Sequence, residues 1–262
     1  MMPFRPPLLA TGWAIARHTV LEAWRNRLLW LLLLAAAGAV LLGGFLNQLA
    51  LTESRQLQAA VLAALLRLAA VFLMASFAVT SLLREAADKG LELLLALPIP
   101  RFVYLLGKLA GLAALAVLPA ALFGALALYL APPEQALLWA ASLLCELWIV
   151  AAFCLLCTVT LNQVLPALAA AGAFYVLARL IALLQLLGHG PVGAHGLSQR
   201  LLNFVLDGIA LLLPHLDSFT RTEWLLYQTG TAAALAAIGV QTALFVSLVV
   251  AAALFDLYRK NF

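Results

Sequence analysis

Six long apolar runs decide what this chain can fold into, because each is long enough to cross a bilayer as a helix of about 20 residues. They cover approximately residues 28–46, 60–83, 102–130, 136–161, 166–187 and 231–255. Charged residues make up only 10% of the 262-residue chain, against roughly 25% in soluble domains. The runs are rich in Leu and Ala and do not alternate as barrel strands do. We therefore predict an all-α polytopic membrane protein with about six transmembrane helices, forming a single domain over residues 1–262.

Residues 8–27, ahead of the first run, have the pattern of an amphipathic helix that lies on the membrane surface. One side of this helix is apolar and the other is charged. The two sets are Ile15, Val20, Leu21 and Trp24, and Arg17, Glu22, Arg25 and Arg27. Trp24 and Trp30 also suit the boundary between lipid and water. We predict an interfacial helix that leads into the first span.

The distribution of basic residues predicts the orientation of the chain, since cytoplasmic loops of membrane proteins carry an excess of Lys and Arg. With six spans, both termini lie on one side of the membrane. That side collects Arg5, Arg17, Arg25, Arg27, Arg84, Lys89, Arg101, Lys108, Arg259 and Lys260. The opposite side collects Arg55, Arg200 and Arg221. We therefore predict cytoplasmic termini, a cytoplasmic segment 84–101 and an external loop 188–230.

The external loop contains apolar residues at helical spacing between about 197 and 213, followed by Pro214. This pattern predicts a short helix that dips into the membrane and ends at the proline. The loop also carries His189, His195, His215, Asp207 and Asp217. Their spacing matches no metal-ligand template, so we predict a solvated loop rather than a metal site. The basic residues of the chain are scattered, which argues against nucleic-acid binding.

Arg67, Glu146 and Arg179 fall well inside predicted spans, where a charge is costly and marks a candidate functional site. Arg67 and Arg179 lie in the outer halves of the second and fifth spans, and their long side chains can also snorkel to the interface. Glu146 lies in the fourth span, and a short carboxylate does not reach far. Three interpretations stay open for it: pairing with an arginine, lining a polar pathway, or protonation.

The segment 84–101, REAADKGLELLLALPIPR, is the most charged part of the chain. Its first half is polar and amphipathic, and its second half is a run of leucines. Pro98 and Pro100 end the helix and fix a bend before the third span. Two interpretations are open: a docking element for a cytoplasmic partner, or an interfacial helix that only anchors the loop.

This segment and the Gly107-Lys108 pair that follows it resemble the permease subunits of type-2 ABC exporters. The matching positions are Arg84, Glu85, Gly90, Glu92, Leu94, Leu95, Pro98, Arg101, Gly107 and Lys108. The surface helix, the six spans, the cytoplasmic termini and the large last external loop also fit that family over the whole chain. Two positions depart from the pattern, since Leu91 stands where Thr is common and Pro100 where Ser is common.

The resemblance implies a subunit that forms the membrane pathway of a bacterial exporter in the cytoplasmic membrane, paired with an identical or different second protomer. A separate ATPase subunit is then expected to bind the coupling residues. These are Arg84, Glu85, Asp88, Lys89, Gly90, Glu92 and Arg101. The chain has no phosphate-binding loop, because Gly107-Lys108 lacks the upstream glycine and precedes Leu109. We therefore expect no catalysis and no cofactor in this chain, with ATP and Mg²⁺ on the partner.

Other functions remain open at this point. A membrane-embedded enzyme or assembly factor would use Glu146 and the external His and Asp residues as its site. A secondary transporter would show broken helices in corresponding positions of two halves, and no such pair is present. Gly107 and Gly111 suggest close helix packing, possible at a dimer seam, or merely the small-residue content of the chain. Lipids, peptides, antibiotics and polysaccharides are all open as substrates.

Overall fold

A computed structural model describes residues 8–49, 54–87, 100–188, 203, 206–210 and 213–259, and within these ranges the chain is helical with no β-strand. The helices are α1 Leu8–Arg25, α2 Leu28–Leu49, α3 Ser54–Ala87, α4 Arg101–Ala127, α5 Pro133–Leu161, α6 Val164–Gly188, α7 Thr222–Tyr227 and α8 Ala232–Arg259. A short 3₁₀ turn, Leu216–Ser218, precedes α7. All helices except α1 and α7 are long and apolar enough to cross a membrane. The predicted all-α fold with six such helices is therefore confirmed.

Most spans run beyond the apolar segments from which they were predicted, whereas α4 ends at Ala127 and not at residue 130 as predicted. The longest, α3, has 34 residues, which gives it a length of about 51 Å against a hydrocarbon core of about 30 Å. Its polar ends, near Gln58 and Glu85, continue the helix past the apolar stretch. We call the end of the bundle where α2 and α4 begin the basal end, and the opposite end the distal end.

Helix α5 lies at the centre of the bundle, where it packs against α3, α4, α6 and α8. Of its span, 61% is buried, against 22% for α8 and 28% for α2 and α6. The side chains of Trp139, Leu143 and Leu147 on α5 are fully buried. The peripheral helices turn leucines outward, for example Leu41 on α2 and Leu244 on α8. These outward faces are suited to lipid, which solvates apolar side chains without cost.

The turn between α5 and α6 is short because Asn162 adopts the left-handed conformation, with φ 53°. Asparagine tolerates this conformation better than most residues and ends helices in this way. The amide of Asn162 donates to the carbonyl of Thr158, which satisfies an acceptor of the last turn. Helix α6 then begins at Val164 and runs back towards the distal end.

Helix α1 packs along the first half of α4, and two glycines on α4 make the approach possible. A Cβ atom at Gly111 would lie 2.7 Å from the Cβ of Thr19, and one at Gly107 would lie 2.9 Å from the carbonyl oxygen of Gly12. No side chain fits in these gaps. The glycine pair therefore provides close packing, as one interpretation suggested, but against α1 and not at a dimer seam.

The predicted membrane-dipping helix of loop 188–230, which we call the distal loop from here on, lies partly outside the described residues. Residues 206–210 are helical, and the amide of Leu213 donates to the carbonyl of Ile209 just before Pro214. The predicted stop at the proline agrees with this geometry. After it, the 3₁₀ turn and α7 lead the chain to α8.

Candidate functional site

The predicted coupling segment is described only at its two ends. Asp88, Lys89, Gly90 and Glu92 lie outside the described residues. Arg84 and Glu85 occupy the last turn of α3 and Arg101 begins α4. The side chain of Arg84 is exposed, whereas Glu85 is half-buried. The structure therefore reports on the base of this segment, where the chain leaves α3 and enters α4.

A buried lysine joins three helices at this base. The Nζ atom of Lys108, whose side chain is only 1% exposed, lies 2.6 Å from Oε2 of Glu85 and 3.9 Å from Oε2 of Glu22. The hydroxyl of Tyr104 donates to Glu85 at 3.2 Å. The hydroxyl of Ser81 donates to Glu22 at 2.6 Å. We call Glu22, Ser81, Glu85, Tyr104 and Lys108 the basal cluster.

Helical spacing explains how the basal cluster is assembled. Ser81 and Glu85 are four residues apart on α3, and Tyr104 and Lys108 are four residues apart on α4, so each pair shares one helix face. Glu22 comes from α1. A buried ammonium is stable only when carboxylates and hydrogen bonds compensate its desolvation. The cluster therefore holds α1, α3 and α4 in one fixed arrangement at the two ends of segment 88–99.

A second contact ties the start of α4 to the end of the chain. The guanidinium of Arg101 donates to the carbonyl of Leu257 on α8 at 2.7 Å. Nearby, the hydroxyl of Thr160 on α5 donates to the carboxylate of Asp256 at 3.0 Å. The basal end of α8 is thus connected to both α4 and α5. The Arg101 end of segment 84–101 is therefore attached to α8.

Arg67, Glu146 and Arg179, the charged residues singled out inside the spans, come together in the distal half of the bundle. Glu146 is fully buried and lies 3.6 Å from Nη1 of Arg179. Its two carboxylate oxygens accept hydrogen bonds from the hydroxyls of Tyr175, at 2.8 Å, and Thr220, at 2.6 Å. Arg67 reaches the same place from α3, where its Nη1 donates to the carbonyl of Thr220 at 3.3 Å.

The partners of the two arginines are mainly backbone carbonyls of the loop. Arg179 donates to the carbonyls of Leu216 and Phe219, the latter at 3.0 Å. Leu216 begins the 3₁₀ turn and Phe219 follows it, so neither carbonyl belongs to a continuing α-helix. The arginines therefore do not simply snorkel to the interface. They bind the loop that covers the distal end of the bundle.

Thr220 is the residue on which this arrangement converges. Its backbone has φ 43°, an unfavourable conformation for a β-branched residue. Its amide donates to the hydroxyl of Ser142 at 2.8 Å, in addition to the bonds of its hydroxyl and carbonyl described above. We call Arg67, Ser142, Glu146, Tyr175, Arg179 and Thr220 the distal cluster. It fastens the loop to α3, α5 and α6.

Of the three interpretations of Glu146, the structure shows pairing with an arginine. Ser142 and Tyr175 were not predicted, although each lies four residues from a predicted charge on the same helix. That spacing was the available signal. Thr220 carried no signal, because nothing in the sequence indicates which loop residue turns back into the bundle.

The histidines and acids of the distal loop do not form a site among the described residues. Asp207 accepts a hydrogen bond from Gln185 at 3.1 Å, and His215 is exposed. No group of three His, Cys, Asp or Glu side chains in the described part of the chain is arranged to hold a metal. His189 and His195 lie outside it. Cys145, Cys154 and Cys157 are free thiols on α5.

Comparison with known proteins identifies no relative: no family model matches the chain, and no curated protein matches it. Both clusters consist of ion pairs and hydrogen bonds between packed groups, and neither cluster presents an exposed reactive side chain. In the basal cluster the charges join helices, and in the distal cluster they join a loop to helices. Function is therefore inferred from what each cluster holds in place.

Proposed function

We propose that this chain is the transmembrane permease subunit of a type-2 ABC exporter in a bacterial cytoplasmic membrane. A separate ATPase subunit docks on segment 84–101, and a second permease protomer completes the pathway. The observation that carries the proposal is the buried Lys108, which bonds to α1 and α3 at the base of that segment. These bonds attach the base of the segment rigidly to the helices.

A segment that transmits force to the membrane helices must be attached to them rigidly. A push on a loop moves the helices behind it as a rigid body only if the loop ends are fixed to them. Here Glu85, at the start of the segment, bonds to Lys108, which lies about two helical turns inside the next span. Arg101, at the other end of the segment, is bonded to α8. A loop that served only to connect two spans would not need these bonds.

The surface of α1 supports an interfacial position for this helix. Its small residues Ala16, Thr19 and Ala23 are buried against the bundle, while Trp13 and Trp24 are 74% and 68% exposed. Tryptophan side chains favour the level of the lipid headgroups. An interfacial α1 would bring Glu22 to the membrane boundary, so the basal cluster would connect the membrane surface with the coupling segment.

The distal cluster argues against the alternative of a membrane-embedded enzyme. Both oxygens of Glu146 accept hydrogen bonds, and the carboxylate is fully buried. A general acid or base must reach a substrate proton, and this carboxylate faces only its own partners. In the proposed exporter the energy comes from ATP and Mg²⁺ on the ATPase subunit, while this chain provides the pathway and the docking segment.

Docking is tested by charge reversal at Glu92, with Glu134→Lys as the matched control. Glu134 is an exposed acid at the distal end of α5, so its reversal changes the net charge equally without touching the docking segment. We expect the wild type and Glu134→Lys to co-purify with an ATPase subunit from mild detergent and to export. Glu92→Lys should insert into the membrane but lose both. Full ATPase retention and export in Glu92→Lys would contradict the docking role.

The orientation is tested separately by cysteine labelling in intact cells. A membrane-impermeant maleimide should label Glu134→Cys directly, and Asp88→Cys only after the membrane is permeabilised. The natural cysteines lie on α5, and Cys154 and Cys157 are buried, so the background is low. Labelling of Asp88→Cys in intact cells would place the segment outside and exclude ATPase docking.

A further inference from the structure

A cavity of about 780 Å³ lies at the distal end of the bundle, between α2 and α3. This volume is within the range of pockets that bind small molecules. Gly43 and Gly44 of α2 line one wall, and Leu62 and Leu66 of α3 line the other. The remaining wall comes from the end of α4, from Tyr129 in the turn that follows it, and from helix α7. The cavity is separate from both charge clusters.

The two neighbouring glycines create this space in different ways. At Gly43 the helices touch: a Cβ would lie 2.9 Å from Cδ1 of Leu62, and the side-chain amide of Gln58 donates to the Gly43 carbonyl at 2.9 Å. At Gly44 a Cβ would meet no atom within 4 Å. The first glycine allows α2 and α3 to approach, and the second leaves the cavity unfilled.

The cavity changes from polar to apolar along its length. Gln58 and Tyr129, which is 88% exposed, stand at the distal mouth. Ala39, Leu62 and Leu66 line the deeper part, which extends to Leu66, about two helical turns or roughly 12 Å from Gln58. Polar groups at one end and aliphatic groups below match a molecule with a polar head and an aliphatic chain.

The cavity also opens towards the surroundings of the bundle. Val40 lines it and is 56% exposed. The lining residues of α2 and α3 lie within stretches that are long and apolar enough to span a membrane, Leu28–Phe45 and Gln58–Glu85. At this level the molecules that reach the opening are membrane lipids.

We propose that this cavity binds one acyl chain of a membrane phospholipid, with the headgroup at the Gln58 and Tyr129 end. The chain fills the space left at Gly44 and contacts Leu62 and Leu66. Burial of its methylene groups against these side chains holds the lipid, and the polar mouth fixes its direction. This site is independent of the proposed transport function, because it requires neither ATP nor the coupling segment.

The test compares Gly44→Phe with Gly38→Phe. Gly38 lies on the same helix, does not line the cavity, and also has no atom within 4 Å of an added Cβ. Each protein is purified, washed extensively in detergent, and analysed for bound phospholipid by native mass spectrometry. We expect the wild type and Gly38→Phe to retain a phospholipid and Gly44→Phe to lose it. No retained lipid in the wild type, or equal retention in all three, would overturn the proposal.

Two further measurements separate the other outcomes. If the cavity is instead covered by a second copy of the chain, Gly44→Phe will change the mass from dimer to monomer without any lipid signal, which also overturns the proposal. If Gly44→Phe fails to fold, Gly44→Cys is treated with phenyl maleimide after purification, which blocks the cavity in the folded protein. Lipid must then be released from the blocked protein and retained by the untreated one.

Discussion

The two charge clusters differ in what their charges hold. In the basal cluster one ammonium lies between two carboxylates, and the bonds described above join side chains of α1, α3 and α4. In the distal cluster one guanidinium, that of Arg179, pairs with one carboxylate, and both Arg67 and Arg179 donate to carbonyls of a loop. The first joins helices at the base of a segment that we propose receives force. The second closes the opposite end of the bundle.

The clusters also differ in their access to water. The side chains of Glu22 and Glu85 are 22% and 19% exposed, whereas Glu146 and Thr220 are fully buried. Carboxylates that lose Lys108 can still be hydrated, whereas loss of the Glu146 carboxylate leaves the hydroxyls of Tyr175 and Thr220 without their buried acceptor. We therefore expect distal substitutions to reduce stability most, and basal substitutions to reduce coupling most.

The largest effect on stability is expected for Glu146→Leu. Removing the carboxylate leaves the buried hydroxyls of Tyr175 and Thr220 without an acceptor and Arg179, which is 19% exposed, without its ion-pair partner. Together these losses cost about 3–5 kcal/mol in the free energy of unfolding. Reversible unfolding in mixed detergent and SDS micelles measures this change. Glu146→Gln is the matched control, since it keeps the shape and one acceptor oxygen. Under mild conditions Glu146→Leu should still retain the ATPase subunit. A stability equal to that of the wild type would show that the distal cluster does not hold the loop to the helices.

Lys108→Met is expected to have the opposite profile. It removes the ammonium from Glu22 and Glu85, and we expect a loss of about 3 kcal/mol or less, because both carboxylates can be hydrated. Export and ATPase retention should fall to background, since the segment loses its fixed base. Both are measured as for Glu92→Lys. If Lys108→Met transports normally despite the lost stability, the basal cluster is structural and has no role in coupling.

The sequence was sufficient for the fold because lipid permits few solutions. An apolar run in a bilayer must satisfy its own backbone hydrogen bonds, so each run predicted a helix. The ends of the helices were predicted less accurately than their number and type. Helix α3 continues through polar residues to Ser54 and Ala87, where apolar composition gives no signal. Hydropathy detects the part of a helix that contacts lipid and not the point where the helix ends.

The sequence also found part of each cluster. Arg67, Glu146 and Arg179 were identified because charges in lipid are costly, and the structure brings them together. The pairing of Lys108 with Glu22 was not predicted, because it depends on how α1 and α4 are rotated relative to each other. Thr220 was missed because its partners lie far from it in the chain, and only the packing of the helices brings them to it. Composition identifies unusual residues, whereas packing decides their neighbours.

Gly111→Ala tests whether α1 belongs to the basal cluster. The added methyl would lie 2.7 Å from the Cβ of Thr19, so α1 must move away and take Glu22 with it. We expect a loss of about 2 kcal/mol, with faster tryptic cleavage after Arg25. Gly172→Ala on α6 is the control, since an added Cβ there meets nothing within 4 Å. Alanine favours a helix over glycine, so the control should be neutral or stabilised. The same sign in both variants would contradict the close packing of α1.

The smallest expected effect compares Thr220→Gly with Thr220→Ala. Both variants lose the hydroxyl that donates to Glu146, so their difference isolates the backbone. Alanine usually stabilises a protein relative to glycine by restricting the unfolded chain, but at positive φ it destabilises instead. With φ 43° at this residue, Thr220→Gly should be the more stable of the two by about 1 kcal/mol. Thr220→Ser, which keeps the hydroxyl, should stay closest to the wild type. If Thr220→Ala unfolds at the higher SDS fraction, the left-handed turn does not shape the distal cluster, and its hydrogen bonds alone must hold the loop.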